Sequence, residues 1–387
     1  GETSNLRQPV SAWLRAIGLA VASMLLAFTQ ASQDAATQPA SPARPNIVLI
    51  VADDLGFADL GFQGCKDIPT PNIDALAKSG VRFTNAYASA PVCAPSRAGL
   101  ITGRYQERFG FEFNPEGEDM AELRAIQWPS PTLPESLKSN GYATGLIGKW
   151  HLGPLPGDGP LKRGFEEFLG FYVKPGGAGA DGEPQVWRNK TRIDEPEDIT
   201  SALAREAVDF ILRHKDSPFF LQLNFNAPHL HVQPSQAALE QFQSIEDPVR
   251  RTYAANVWAM DAAVGHVRAA LQDAGLERNT IVVFLSDNGG PTIHNSSVNG
   301  SRNTPLRGSK EQLFEGGIHV PMVMAWPERI RAGSSFAHPV IHLDFMPTFL
   351  AAAGIDIDPT WKLDGVNLWP YLDGAKPGLP HEYLFWR

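Results

Sequence analysis

Asp53 with Asp54, and Asp287 with Asn288, form two pairs of oxygen donors. Each pair closes an apolar run, "NIVLIVADD" and "TIVVFLSDNGG". Four such oxygens without a thiolate cluster suit a hard divalent cation, Ca²⁺ or Mg²⁺. Asp and Asn are also ordinary turn residues, so either pair alone fits loop chemistry equally well. Basic groups sit elsewhere: Lys149 and His151 in "GLIGKWH", His229 and His231 in "APHLH", Arg307 and Lys310 in "LRGSKEQLFEGG". A fixed cation beside an imidazole suits an anionic substrate and proton transfer. Taken singly, each of these also fits a surface or structural role. Cys93, one of two cysteines, lies in "PVCAPSRAGLITG". It can be an inert buried thiol, half of a pair with Cys65, a metal ligand, or a nucleophile whose thiol pKa is lowered by Arg97, four residues on.

The elements that must position these groups alternate. Continuous apolar runs at 45–54 and 279–290 suit strands buried on both faces of a parallel sheet, and 217–229 and 319–327 look like further strands. "ATGLIG" delivers Lys149 and His151, which share a face if the chain stays extended. Between the strands, Thr70–Gly80 has a Thr–Pro start and a Gly stop, and Val249–Gly275 is a long helix. The expected fold is α/β, a mostly parallel central sheet flanked by helices. Ligands in such sheets gather at the carboxyl ends of the strands, where Asp53, Asp54, His229, Asp287 and Asn288 fall. The Pro/Gly-rich stretches 153–160 and 175–184 read as surface loops near that end.

The 387 residues carry a net charge of −9, which disfavours a nucleic-acid partner. A local basic cluster can still bind an anion. At the N-terminus, Arg7 and Arg15 precede the apolar run Ala16–Phe28, too short to span a bilayer comfortably. With small residues following, it reads as a signal peptide over 1–31, cleaved at Ala31, with 32–44 a flexible linker. The expected product is exported, periplasmic or extracellular, with no stable membrane span after signal removal. The first residue is not Met and the chain stops inside the strand-like "HEYLFWR", which reads as a fragment at both ends.

Taken together these motifs resemble the type I sulfatase family of the alkaline-phosphatase superfamily. "PVCAPSRAGLITG" is similar to the family's first signature and "GYATGLIGKWH" to its second. "VADDLG", "APH", "SDNGG" and "LRGSK…EGGIHVP" follow in the family's order, and the likeness runs from about Pro45 to Arg387. The resemblance implies that Cys93 is oxidised after translation to Cα-formylglycine by a maturation enzyme that reads C-x-P-S-R. The aldehyde hydrate is then the nucleophile, and its second hydroxyl lets it expel sulfate. Asp53, Asp54, Asp287, Asn288 and an oxygen of the modified Cys93 would hold one cation, Ca²⁺ foremost, with Mg²⁺ the other option. Arg97 would orient the hydrate, and Lys149 and Lys310 would hold sulfate oxygens. His229 would protonate the leaving alcohol, with His231 the second choice, and His151 would accept the proton as sulfate departs. Two departures are Ser309, where the family often has Gly, and His319, where it often has Arg. The expected organisation is a catalytic domain over 45–375, with 376–387 the start of a small antiparallel C-terminal subdomain that is largely missing. The implied activity is hydrolysis of sulfate esters, of a sulfated carbohydrate or an aryl sulfate. A phosphodiesterase or phosphonate hydrolase of the same superfamily, or a non-catalytic carbohydrate-binding remnant, are the competing readings. Trp128 and Trp187 are candidates for stacking on sugar rings or for core packing.

Overall fold

The computed structural model describes residues 44–114, 127–129, 131–153, 159–172, 186–194, 198–230, 232–293 and 298–387. The signal segment, nearly all of the linker, His231 and most of the two Pro/Gly-rich loops lie outside them. The strands are β1 (Asn46–Ala52), β2 (Val81–Phe83), β3 (Ala86–Tyr87), β4 (Ala143–Lys149), β5 (Glu167–Phe171), β6 (Val186–Arg188), β7 (Thr191–Ile193), β8 (Phe219–Asn224), β9 (Thr280–Ser286), β10 (Met322–Ala325), β11 (Ser334–Phe336) and β12 (Val340–Ile341). The helices are α1 (Pro71–Ser79), α2 (Cys93–Thr102), α3 (Leu133–Ser139), α4 (Ile199–Arg213), α5 (Gln236–Glu240), α6 (Pro248–Asp273), α7 (Glu315–Ile318), α8 (Phe345–Ala352) and α9 (Trp369–Leu372), joined by short 3₁₀ turns.

Ten strands form one sheet in the order β11-β2-β10-β9-β1-β8-β4-β5-β6-β7. The five from β9 to β5 are parallel, β1 lying between β8 and β9. Its alternate residues serve two cores, as the two-residue period of a strand requires. Val48, Ile50 and Ala52 pack with α1, α4 and α6, whereas Ile47, Leu49 and Val51 pack with α2, α3 and α8. That double burial is why β1 and β9 read as unbroken apolar runs.

The flanks depart from the parallel expectation. β10 runs antiparallel between β9 and β2, and the β6–β7 hairpin adds two antiparallel strands beyond β5. An apolar run carries no direction, so "VPMVMA" alone could not show this. In β4 the backbone crowds β8. A Cβ on Gly148 would lie 1.8 Å from the Asn224 carbonyl oxygen, and its φ of 105° is in the left-handed region. The helix punctuation behaves as read: Pro71 opens α1 after Thr70, and Gly275 takes φ 71° just past α6. Among the described residues no helix is long and apolar enough to cross a membrane. From Lys376 to Arg387 the chain forms no helix or strand. It lies along the body, with His381 Nε2 2.7 Å from Asp344 and the Trp386 indole donating to the Ala88 carbonyl at 2.8 Å.

Candidate active site

β1 and β9 are in register, and both end where the sheet stops. The chain then turns, Asp54 taking φ 62°, so the adjacent carboxylates of Asp53 and Asp54 converge instead of facing opposite ways. Asp54 N–H donates to Asp287 Oδ1 at 3.2 Å, which ties the two strand ends together. The first turn of α2 supplies Cys93, whose sulfur lies 3.3 Å from Asp53 Oδ1 and 3.8 Å from Asp54 Oδ1. Ligand atoms of Asp53, Asp54, Cys93 and Asp287 all lie within 4.8 Å of one another, and all four residues are buried.

Basic side chains close the ring. Lys149, at the end of β4, places Nζ 2.6 Å from Asp53 Oδ2, and Lys310 places Nζ 2.7 Å from Asp54 Oδ2. Arg97 donates to Asp287 Oδ2 through Nε (3.0 Å) and Nη2 (2.7 Å), and Nη2 lies 3.6 Å from Asp53. Ser96 donates its hydroxyl to the Asp287 carbonyl, so two residues of the C-x-P-S-R stretch grip one strand end. His229 Nε2 is 3.4 Å from Asp54 Oδ2. His151 is buried, but not as an extended partner of Lys149: the strand ends at Lys149 and His151 turns through φ 60°. The ten residues given a role by the resemblance, His231 aside, therefore meet at one end of the sheet, whereas Arg307 lies over the Phe314 ring.

The electrostatics follow from burial and proximity. Burial alone would raise the Asp53 and Asp54 carboxyls. The cations beside them hold both below the usual range, Lys149 foremost for Asp53 and Lys310 for Asp54, with Asp53 well below. Asp287 is different. Burial outweighs Arg97, and its carboxyl is raised to about 6. Burial, then the charges of Asp287 and Asp53, pushes the Cys93 thiol well up, so it stays protonated and weakly nucleophilic. Cys65 and Cys93 are both free thiols. Burial, Lys149 and Arg97 push His151 well down, leaving a neutral imidazole.

A cation suits this pocket. Asn288 donates its amide nitrogen to Asp54 Oδ1 at 2.7 Å, and its Oδ1 is buried without a partner. That oxygen and three carboxylates are the hard donors Ca²⁺ or Mg²⁺ takes. Arg97, Lys149 and Lys310 already balance the three acids, so a bound dication would give the pocket the positive potential an anionic ester needs.

Several supporting residues carried no sequence signal. Tyr253 and Arg250 on α6 hold Asp59, at 2.7 Å each, and Gly56 N–H donates to the Tyr253 hydroxyl at 3.0 Å, steadying the turn after Asp54. Asn303 accepts from Phe57 and Gly290 N–H and donates to the Gly290 and Gly308 carbonyls. A lone Asn or Arg reads as turn or surface, and only the fold brings these loops together. Ser309 accepts from Thr292 N–H at 2.9 Å, and His319 bonds Glu315 and the Thr84 carbonyl, so both departures from the motif are built into loop packing. Trp128 is held by Phe109, Phe111 and Arg163, and Trp187 by Tyr172 and Arg192.

The profile of the family described as Sulfatase matches residues 45–355. An uncharacterized sulfatase, YdeN, of Escherichia coli is 32% identical over 90% of this chain and 70% of its own length. The N-acetylgalactosamine-6-sulfatase of Mus musculus is 34% identical over 85% of this chain and 66% of its own. Among solved structures, Ps i-CgsB in complex with k-i-k-neocarrahexaose superposes with a TM-score of 0.80 at 40% identity, covering 87% of this chain and 78% of that one. The phosphonate monoester hydrolase of Agrobacterium radiobacter shares the fold, with a TM-score of 0.60 at 21% identity. With a family match across most of the chain, and the signature residues gathered around one buried acidic centre, the chain belongs to the sulfatase family of enzymes.

Proposed function

We propose that this chain hydrolyses sulfate esters of a carbohydrate, with Cys93 converted to Cα-formylglycine and one divalent cation, Ca²⁺ foremost, held by Asp53, Asp54, Asp287 and Asn288. The observation that carries the reading is the placing of Cys93. Its sulfur sits against the carboxylate cluster with Lys149, Lys310 and Arg97 around it, yet as a thiol it is too basic to attack. The formylglycine hydrate supplies a hydroxyl nucleophile, and the cation, when bound, polarises the sulfate and favours ionisation of that hydroxyl. Arg97 is fixed by Asp287 and orients the group at position 93. Lys149 and Lys310 hold sulfate oxygens and offset the charge that builds in the transition state. His229 Nε2 holds the proton for the leaving oxygen, and neutral His151 accepts the proton released as sulfate departs.

The names of the relatives favour a saccharide substrate: one acts on an N-acetylgalactosamine sulfate and one is complexed with a neocarrahexaose. Export through the Ala16–Phe28 segment, and maturation by a formylglycine-generating enzyme, belong to the same proposal. The test is a comparison of rates on a sulfate monoester and a phosphate diester, using protein co-produced with such an enzyme and loaded with Ca²⁺. Dominant sulfate release is expected. A dominant phosphodiesterase rate, or saccharide binding without turnover, would overturn the assignment.

A further inference from the structure

We infer that Asn299 is a positioning residue that sets the proton donor against the metal-binding end of the site. The inference rests on the sulfatase reading above. Asn299 lies in the segment between β9 and Lys310, and it is 4% exposed. Its amide nitrogen donates twice, to the Asp54 carbonyl at 3.2 Å and to the Pro228 carbonyl at 3.1 Å. Its amide oxygen accepts from Ser301 N–H at 3.0 Å, which fixes the rotamer.

Those two carbonyls belong to the peptide that follows Asp54 and the peptide that precedes His229. One amide thus spans the end of β1 and the loop after β8, and between these the side chains meet, His229 Nε2 and Asp54 Oδ2 being 3.4 Å apart. Asp54 is held by other means as well: Lys310 and Asn288 both bond its carboxylate. The His229 loop is tied on either side of the histidine, Asp53 N–H donating to the Ala227 carbonyl at 3.2 Å and the Asn256 amide to the Val232 carbonyl at 3.0 Å, but the backbone N–H and Nδ1 of His229 itself bond only locally. His229 N–H bonds back to Asn226, and His229 Nδ1 bonds the adjacent Leu230 carbonyl, both within the loop. With Nδ1 so engaged, Nε2 is the nitrogen that can reach the leaving oxygen. As the bond from sulfur to the alcohol oxygen breaks, its electron pair stays on that oxygen, and the proton on Nε2 passes to it. A displaced loop lengthens that transfer and leaves the attack on sulfur untouched.

The consequence is selective. Esters of acidic phenols leave as anions without a proton, whereas esters of weakly acidic phenols and of sugars need one. The experiment uses the modified, Ca²⁺-loaded full chain and its Asn299→Ala and Asn299→Gln variants. Values of kcat/KM are measured on 4-nitrophenyl, phenyl and 4-methoxyphenyl sulfate, with thermal melting and calorimetric Ca²⁺ titration alongside. Asn299→Ala is expected to lose about 10²-fold on 4-methoxyphenyl sulfate and less than about tenfold on 4-nitrophenyl sulfate. Its Ca²⁺ affinity is expected to stay within about tenfold of wild type. Asn299→Gln keeps the donor and is expected to recover part of the loss on the poor leaving groups; it carries the test if the alanine variant does not fold. Equal losses across all three esters, no loss on any, or a collapse of Ca²⁺ affinity matching the loss of activity would overturn the assignment. Wild-type enzyme that releases no sulfate from these esters or from a sulfated saccharide would instead refute the sulfatase reading.

Discussion

Replacing Lys149 by Met removes a charge while keeping most of the buried stem. Lys149 is 2% exposed, with Nζ 2.6 Å from Asp53 Oδ2. At an effective dielectric near 20, a pair at this distance is attracted by about 6 kcal/mol. Desolvation of both partners offsets much of that, and breaking one side of a buried pair costs about 3–5 kcal/mol because the other charge is stranded. Here the stranded group is Asp53, with Asp54 and Asp287 as neighbours. The metal-free variant should therefore lose about 3–5 kcal/mol of stability, and Ca²⁺ should restore part of it by neutralising the same carboxylates. Turnover should not recover. A cation aimed at the transferring group is worth about 10²–10³ in kcat, and Ca²⁺ cannot replace its position. Denaturant melts with and without Ca²⁺, and kcat on 4-nitrophenyl sulfate at saturating Ca²⁺, read the two effects separately. A variant as stable as wild type without metal, or one with kcat within tenfold of wild type, would refute the reasoning.

Two further outcomes follow from backbone and burial. Gly148→Ala should destabilise the protein by more than about 2 kcal/mol, because the new methyl meets the Asn224 carbonyl at 1.8 Å and φ is 105°; a normal melting temperature would show that β4 and β8 can part there freely. Asp287, raised to about 6 by burial, must lose its proton to bind a cation, so Ca²⁺ affinity measured by calorimetry should fall from pH 7 to pH 5. The sign for the metal-free fold is opposite: a carboxyl raised above its unfolded value of about 3.9 adds stability below that pH and loses it as pH rises through about 6. A pH-independent affinity would contradict the burial argument.

The central strands were legible because burial on both faces writes an unbroken apolar run, and the donor pairs because they follow those runs. Strand direction was not, since β10 carries the same apolar signal as the parallel strands at the centre of the sheet. The short β5, β6 and β7 gave no run long enough to read. Within the site, the chemistry-bearing residues could be named from type and motif. The scaffold could not: Tyr253, Arg250, Asn299 and Asn303 act across separations of up to 246 residues along the chain, and polar residues in loops or on helices carry no mark of what they will touch. His151 shows the limit of local geometry, because its turn at φ 60° is set by the end of β4 and not by the two-residue spacing from Lys149.

Mass spectrometry of the tryptic peptide Phe83–Arg97, from protein co-produced with a formylglycine-generating enzyme, tests the central claim most directly. The account predicts an aldehyde at position 93, trapped by a hydrazide reagent, in the protein that releases sulfate, and no sulfate release from Cys93→Ala. Unmodified cysteine at position 93 in a protein that hydrolyses sulfate esters at an undiminished rate would contradict it.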